Sequence, residues 1–382
     1  MSPAPARTRR FAWRRLAALA RKESIHLRRD PRSLAMAFAM PLVLLVLFGW
    51  AITMDVTNID LVVDDQDRSA ASRDYVERFR ASGYFTIVDQ VDSPAALRTA
   101  IDGGRAQMAI VVPRHFARDL DAGRGAQVQA IVNGSDAATA TVALAYAEGV
   151  TARFDEAQRA RHGLPTTLAI DHRLRVWYNP ELESRWFIVP GLIAVIMTVI
   201  TALLTSLTVA REWESGSMEQ LVATPVQPVE LLLGKMAPYF AVGIVDVLVS
   251  VAMAVFVFGV PLRGSLALLL AVTAVFLVGG LSLGLLISTL ARSQLVASQV
   301  AMVVTFLPAF LLSGFLYAIE HMPPALQAVT YAVQARYYVA VLKDIFLKAN
   351  PPAVLAGELG FLAAFAVIVF AVALAKFRKR ID

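Results

Sequence analysis

The chain has 382 residues, of which 57% are hydrophobic and 17% charged, and its mean hydropathy is +0.59. Soluble proteins hold roughly 45–50% apolar and about 25% charged residues, so the composition points to a membrane protein with one or two water-facing parts and excludes disorder, collagen and coiled coil. Cysteine is absent, which removes disulfide scaffolds, thiol nucleophiles, iron–sulfur clusters and cysteine-held zinc. A net charge of +6 would suggest nucleic acid in a soluble protein. Here the basic residues flank apolar runs, where they suit anionic lipid, and no nucleic acid is needed.

The leader, residues 1–33, contains ten Lys and Arg. Trp13, Leu16, Ala17, Ala20 and Leu27 recur at helical spacing, and Arg14, Arg15, Arg21, Lys22, Arg28 and Arg29 fall mostly elsewhere. This pattern predicts an amphipathic helix on the inner membrane surface. Residues 34–54 form an uncharged first span, and both leader and apolar run are too long for a signal peptide.

Residues 55–184 hold nineteen Asp and Glu, fourteen Arg and no Lys. Strand-like runs at 59–63, 84–88, 107–112 and 128–132 alternate with helical ones at 70–81, 94–101, 116–120 and 137–161. The alternation predicts an independent α/β domain around a sheet of about four strands. Asp64, Asp65 and Asp67 lack the glycine and distal glutamate of a calcium loop and read as a strand end. His115, His162 and His172 are too scattered for a metal site. Asn133-Gly134-Ser135 matches a glycosylation acceptor and reads first as a turn.

Five further spans follow at 185–210, 236–262, 264–291, 293–319 and 353–375, with a tail at 376–382. Basic residues in the leader, at Arg292 and in the tail (Lys376, Arg378, Lys379, Arg380) put both termini in the cytoplasm by the positive-inside tendency. The fold class expected is therefore an α-helical membrane protein with six transmembrane helices, an N-terminal amphipathic interfacial helix, and an α/β extracytoplasmic domain inserted between spans 1 and 2.

The cytoplasmic loop 211–235 is acidic where loops beside anionic lipid are usually basic. It carries Glu212, Glu214, Glu219 and Glu230 against Arg211 and Lys235, and such a loop suits a protein partner better than lipid. Ser217 and Gln220 form a capping-box pattern, so a short helix should start there and stop before Thr224-Pro225. Pro228 and Glu230 suit the first turn of the next helix, with Gln227 outside it.

Asp246 lies near the middle of the third span. A hydrogen bond to Ser or Thr on a neighbouring helix is the expected resolution, with a proton or cation relay as the sharper one. Thr198, Thr201, Thr205 and Thr208 form a stripe that either lines a pathway or packs on a helix. Residues 320–352 are rich in aromatics and suggest re-entrant or interfacial helices at the outer leaflet. No P-loop motif, metalloprotease motif, nucleophile elbow or kinase signature occurs.

The stretches Arg211-Glu212-Trp213-Glu214-Ser215-Gly216-Ser217-Met218-Glu219-Gln220-Leu221, Thr224-Pro225 and Leu233-Gly234-Lys235 resemble the ABC-2 type permease subunits of bacterial ATP-binding-cassette exporters. Trp186-Phe187-Ile188-Val189-Pro190-Gly191, Leu311-Leu312-Ser313-Gly314-Phe315, Met322-Pro323-Pro324 and Ala335-Arg336-Tyr337-Tyr338 add to the resemblance. Val63-Asp64-Asp65-Gln66-Asp67-Arg68-Ser69 and Asn133-Gly134-Ser135 match the subgroup with a large periplasmic domain. Two departures stand out: Glu214-Ser215-Gly216-Ser217 where the family more often has Arg and Gly-Thr, and Val333-Gln334 where it commonly has a proline.

The resemblance implies a multi-pass protein of the bacterial inner membrane, with residues 55–184 in the periplasm. Two permeases, as a homodimer or with a sister subunit, would receive two separate ATP-binding subunits. ATP-Mg would sit on those subunits and no cofactor on this chain. Coupling would fall on Arg211, Glu212, Glu214, Gly216, Ser217, Glu219, Gln220, Leu221, Thr224 and Pro225. Thr198, Thr201, Thr205, Ser298, Thr305 and Ser313 are the candidate translocation path. The cargo would be hydrophobic or amphipathic, such as a drug, and a periplasmic adaptor is a candidate partner. The competing classes are a proton- or ion-coupled transporter using Asp246, and a membrane sensor with a ligand-binding outer domain.

Overall fold

A computed structural model describes residues 11–51, 58–123, 125–135, 137–161, 178–179 and 183–377, with the side chains of 32, 33, 36, 137, 138 and 221–223 left aside. The start of the leader, His162, His172 and the basic tail residues Arg378, Lys379 and Arg380 lie outside the described residues.

In chain order the elements are α1 (Trp13–Arg28), α2 (Pro31–Ala51), β1 (Ile59–Asp65), α3 (Ala70–Ala81), β2 (Phe85–Gln90), α4 (Pro94–Asp102), β3 (Met108–Val112), α5 (Phe116–Asp121), β4 (Gln129–Val132) and α6 (Ala137–Arg161). They continue with α7 (Ser184–Glu214), α8 (Ser217–Ala223), α9 (Pro228–Phe256), α10 (Leu266–Ala291), α11 (Gln294–Leu311), a 3-10 turn (Ile319–His321), α12 (Pro324–Thr330), α13 (Gln334–Leu347) and α14 (Ala356–Lys376). The chain divides into a sheet unit, 54–175, and a helical unit made of 1–53 and 176–382.

In the sheet unit the strand order is β2-β1-β3-β4, with β1 parallel to both neighbours and β4 antiparallel to β3. Side chains along a strand alternate between faces, and β1 uses both. Ile59, Leu61 and Val63 join Tyr75, Phe79 and Phe154 on one side, while Val62 meets Ala100 and Ala106 on the other. Ser69 and Ser93 cap α3 and α4 by accepting from Ser72 N and Ala96 N.

Of the three aspartates expected at a strand end, Asp64 is buried and accepts from Gln66 Nε2, and the other two are tied to backbone groups. Asp65 Oδ1 accepts from the N–H groups of Asp67 and Arg68, and Asp67 accepts from those of His115 and Ala117. Burial pushes the Asp67 carboxyl up, but hydrogen bonds from Ser69 and these backbone groups outweigh it and leave it below the usual range. Asn133 Oδ1 accepts from Ser135 N at 3.1 Å, so that tripeptide forms a turn.

Among the described residues of the helical unit five helices, α7, α9, α10, α11 and α14, are long and apolar enough to cross a membrane. Helix α2 has 21 residues and is apolar through Ala37–Ala51. Helix α7 is buried on nearly every face, whereas α11 and α14 each bury a narrow stripe. Small residues let the backbones of α7 and α10 approach closely: a Cβ at Gly280 would sit 2.7 Å from Thr201 Oγ1, and one at Gly284 would overlap Thr205 Oγ1 and Ala202 O.

Several boundaries differ from the expected spans. Helix α9 starts at Pro228, because Gln227 and Glu230 form a reciprocal capping box, and it ends at Phe256 instead of 262. Residues 257–265 turn through Gly259 (φ +67°) and return to α13 through Arg263 N–Phe346 O and Gly264 N–Ile345 O bonds. Helix α11 stops at Leu311, short of 319, and the chain turns at Gly314 (φ +76°). On α1, Leu19 and Leu27 pack into the protein core, with Leu19 against Gly234 of α9, while Trp13 and Ala17 of the expected apolar stripe are exposed.

Candidate functional site

The segment between α7 and α9 is folded by local signals. Helix α7 closes at Ser215, and Gly216 reverses the chain at φ +68°, a conformation costly for any residue with a Cβ. Helix α8 then runs Ser217–Ala223 and stops ahead of Thr224-Pro225. The Ser217 hydroxyl lies 2.9 Å from Ser215 Oγ.

Both flanks of this segment are bolted to α1. On the α9 side, the Glu230 carboxylate takes Ala12 N at 2.7 Å, Arg15 Nη2 at 2.7 Å, Arg15 Nε at 2.9 Å and Gln227 N at 2.9 Å. Lys235, 1% exposed, places Nζ 3.0 Å from Glu23 Oε1 and 2.9 Å from Glu212 Oε1, with Thr208 O at 3.4 Å. Lys22 adds a second cation, 2.9 Å from Glu212. A buried ammonium is tolerated only when paired in this way.

On the α7 side, Arg211 reaches Asp30 Oδ2 at 3.2 Å and Gln294 Oε1 at 3.3 Å. Glu214 accepts from Gln294 N at 2.8 Å. Arg292 lies 5.1 Å over the Trp213 ring. Helices α1, α7, α9 and α11 thus meet in one polar joint at the end of the unit that carries α8.

The acidic character expected of the loop is mostly consumed inside the chain. Glu230, Glu214 and the Oε1 of Glu212 are held within the joint, with Glu212 Oε2 buried and without a hydrogen-bond partner among the described residues, whereas Glu219 and Gln220 on α8 are exposed. Met218 is buried and fastens α8 to the core. Pro225 is exposed beside Thr224. The Leu221 side chain lies outside the described residues.

The six candidate pathway residues do not converge within one chain. The Thr198 and Thr201 hydroxyls donate to Ala194 O and Met197 O, one turn back along α7. Thr205 reaches across to Leu281 O at 3.0 Å. Ser288 of α10 accepts from Val209 N and Ala210 N, so the threonine stripe is part of the α7–α10 seam. Thr305 is buried and donates to Ala301 O. Ser298 borders a cavity of about 580 Å³ with Leu203, Leu207 and Gln294, and Ser313 lines a separate cavity at the opposite end of the unit.

Asp246 departs from the bonded arrangement expected. It is 1% exposed, and neither Oδ1 nor Oδ2 has a hydrogen-bond partner among the described residues.

Arg15, Glu23 and Asp30 escaped the sequence reading as members of the joint. Glu23 carried one available signal, an acidic residue placed between Leu19 and Leu27 on the apolar face of a basic helix.

The family profile described as ABC-2 family transporter protein matches residues 31–375. The chain is 39% identical over 373 residues to the probable multidrug ABC transporter permease YbhS of Escherichia coli (strain K12), covering 97% of this chain and 99% of the relative. It is 32% identical over 369 residues to the probable multidrug ABC transporter permease YbhR of the same strain, covering 97% and 100%. Identity to that strain's inner membrane transport permease YhhJ is 27% over 327 residues, covering 84% and 85%. With a profile spanning nearly the whole sequence and five helices suited to crossing a membrane, the chain is a multi-pass membrane protein that belongs to the ABC-2 transporter family.

Proposed function

We propose that the chain is the membrane-spanning permease subunit of an ATP-driven exporter, with α8 as the element that receives motion from separate ATP-binding subunits. The observation that carries this reading is the joint: the two flanks of α8 are bound to each other through Lys235 and Glu212, and both are bound to α1. A force on α8 therefore moves three long helices together. Glu219 and Gln220 are left outward for a partner.

In this reading α2 is the first of six spans, both termini are cytoplasmic, and residues 55–184 stand outside the inner membrane, where an adaptor could meet them. ATP and Mg belong to the partner subunits, and the cargo is hydrophobic or amphipathic, in keeping with relatives named as multidrug permeases. A second permease would cover the exposed face of α11 carrying Val296, Val300, Val303 and Leu307. The path would then form between two copies, since the threonine stripe is packed inside one.

The deciding experiment replaces Glu219 with Lys and Gly216 with Pro. Proline cannot adopt the φ of +68° at position 216, and reversed charge at a docking surface weakens contact. Copurification of the ATP-binding subunit and export from cells should both fall, with the permease still inserted. Unchanged values for both variants would return the loop to a plain connector. The unpartnered Asp246 supports one second reading, a relay inside the membrane. Asp246→Asn that loses export while keeping the ATP-binding subunit docked would favour it.

A further inference from the structure

A cavity of about 520 Å³ opens in the helical unit at the end away from α8. Phe187 lies in the first turn of α7 and Glu214 in its last, roughly 40 Å apart at 1.5 Å per residue, and the cavity gathers at the Phe187 end. The volume is within the range of small-molecule sites, about 300–1,000 Å³.

Its lining holds four charges. Arg336 and Lys343 sit on one face of α13, two turns apart with the small residue Ala340 between them. Glu320 comes from the 3-10 turn and Glu358 from the first turn of α14. None of the four forms an ion pair among the described residues.

The cations are instead held by neutral groups. Arg336 stacks 4.1 Å over Tyr331 and bonds to Thr330 Oγ1. Lys343 donates to Gly314 O at 3.0 Å and lies 3.3 Å over the Phe187 ring. Gly191 leaves the room for this packing, since a Cβ there would be 2.6 Å from Phe315 and 3.3 Å from Lys343 Cε. Burial pushes the Lys343 amine down to about 7, so an incoming anion would restore a charge the empty cavity disfavours.

Opposite charges that share a cavity without meeting are arranged for a ligand that carries both signs. Tyr331 and Tyr337 around them are of a residue type that gathers at the boundary between lipid and water. We propose that this cavity binds a phosphoethanolamine group, its phosphate on Arg336 and Lys343 and its ammonium on Glu320 and Glu358. The group can arrive on a membrane phospholipid or as the free headgroup. The inference does not depend on which cargo the permease moves.

The test uses the full chain, delipidated in detergent and titrated with phosphatidylethanolamine or phosphatidylglycerol, with retained lipid counted by native mass spectrometry. Phosphatidylethanolamine should be retained about tenfold better, the scale of one charge-assisted contact. Lys343→Met should reduce retention of both lipids, and the difference from the natural chain isolates this cavity from lipid bound elsewhere. Glu358→Gln should remove only the preference. Displacement by glycerophosphoethanolamine would show that the free headgroup suffices; failure to displace would assign the site to the lipid. Equal retention of the two lipids by the natural chain, or unchanged retention in folded Lys343→Met, would overturn the proposal.

Discussion

The two ends of the helical unit treat charge in opposite ways. At the α8 end, Lys235 is buried between two carboxylates and Glu230 takes four donors, so these buried charges are paired by the chain itself. At the Phe187 end, Arg336, Lys343, Glu320 and Glu358 line one cavity without an ion pair among the described residues. Matched charges fix geometry, because moving one helix strands a buried ion. Unmatched charges leave a surface that something else can complete.

Removing Lys235 is the most severe way to break the contrast. Lys235→Met leaves Glu23 and Glu212 buried with only the half-exposed Lys22 nearby. Stranding such carboxylates costs about 3–5 kcal/mol, seen as a large drop in thermal stability in detergent. The triple change Lys235→Met, Glu23→Gln, Glu212→Gln should recover much of it, since it removes the ions along with their partner.

Arg15→Met strikes the same joint more gently. Glu230 keeps the Ala12 and Gln227 N–H donors, and the arginine is partly solvated. A loss of about 1–2 kcal/mol is expected. Hydrogen exchange should show α1 loosening ahead of α9.

Lys343→Met sharpens the comparison from the other end. In lipid-free detergent it should cost nothing or raise stability slightly, because no carboxylate is stranded and a poorly solvated amine is removed. The amine titrates near 7 when folded and at its ordinary value, 10.5, when unfolded. Between these limits the unfolded chain binds more protons, so the destabilisation is fully present below about pH 7 and is relieved as pH rises toward 10.5. The stability difference between Lys343→Met and the natural chain should therefore shrink across that window. A difference independent of pH would show the amine to be ordinarily solvated.

Much of this architecture could be read from residue order because it rests on local signals. Apolar runs marked the long helices, Ser217 with Gln220 and Thr224-Pro225 bounded α8, and Gln227, Pro228 and Glu230 marked the start of α9. Turn residues between alternating runs located all four strands of the sheet. Features depending on distant partners were hidden. The threonine stripe on α7 was visible, but only the facing Gly280 and Gly284 make it a seam. The loop's acidic residues looked available to a partner until Arg15, Lys22 and Lys235 were found beside them. Asp246 was visible as a charge in a span, but its lack of a hydrogen-bond partner among the described residues depends on neighbours from distant parts of the chain.

The Glu23–Lys235 contact joins residues 212 positions apart. During synthesis the first helix emerges long before the lysine that neutralises it. Glu23 must remain hydrated until the chain has been made as far as α9, so the N-terminal helix docks last among the pieces it touches. Nascent chains ending before position 235 should therefore expose that helix to protease, and chains extended past it should protect it. An unfinished chain would in this way carry a visible mark of incompleteness at its N-terminal helix.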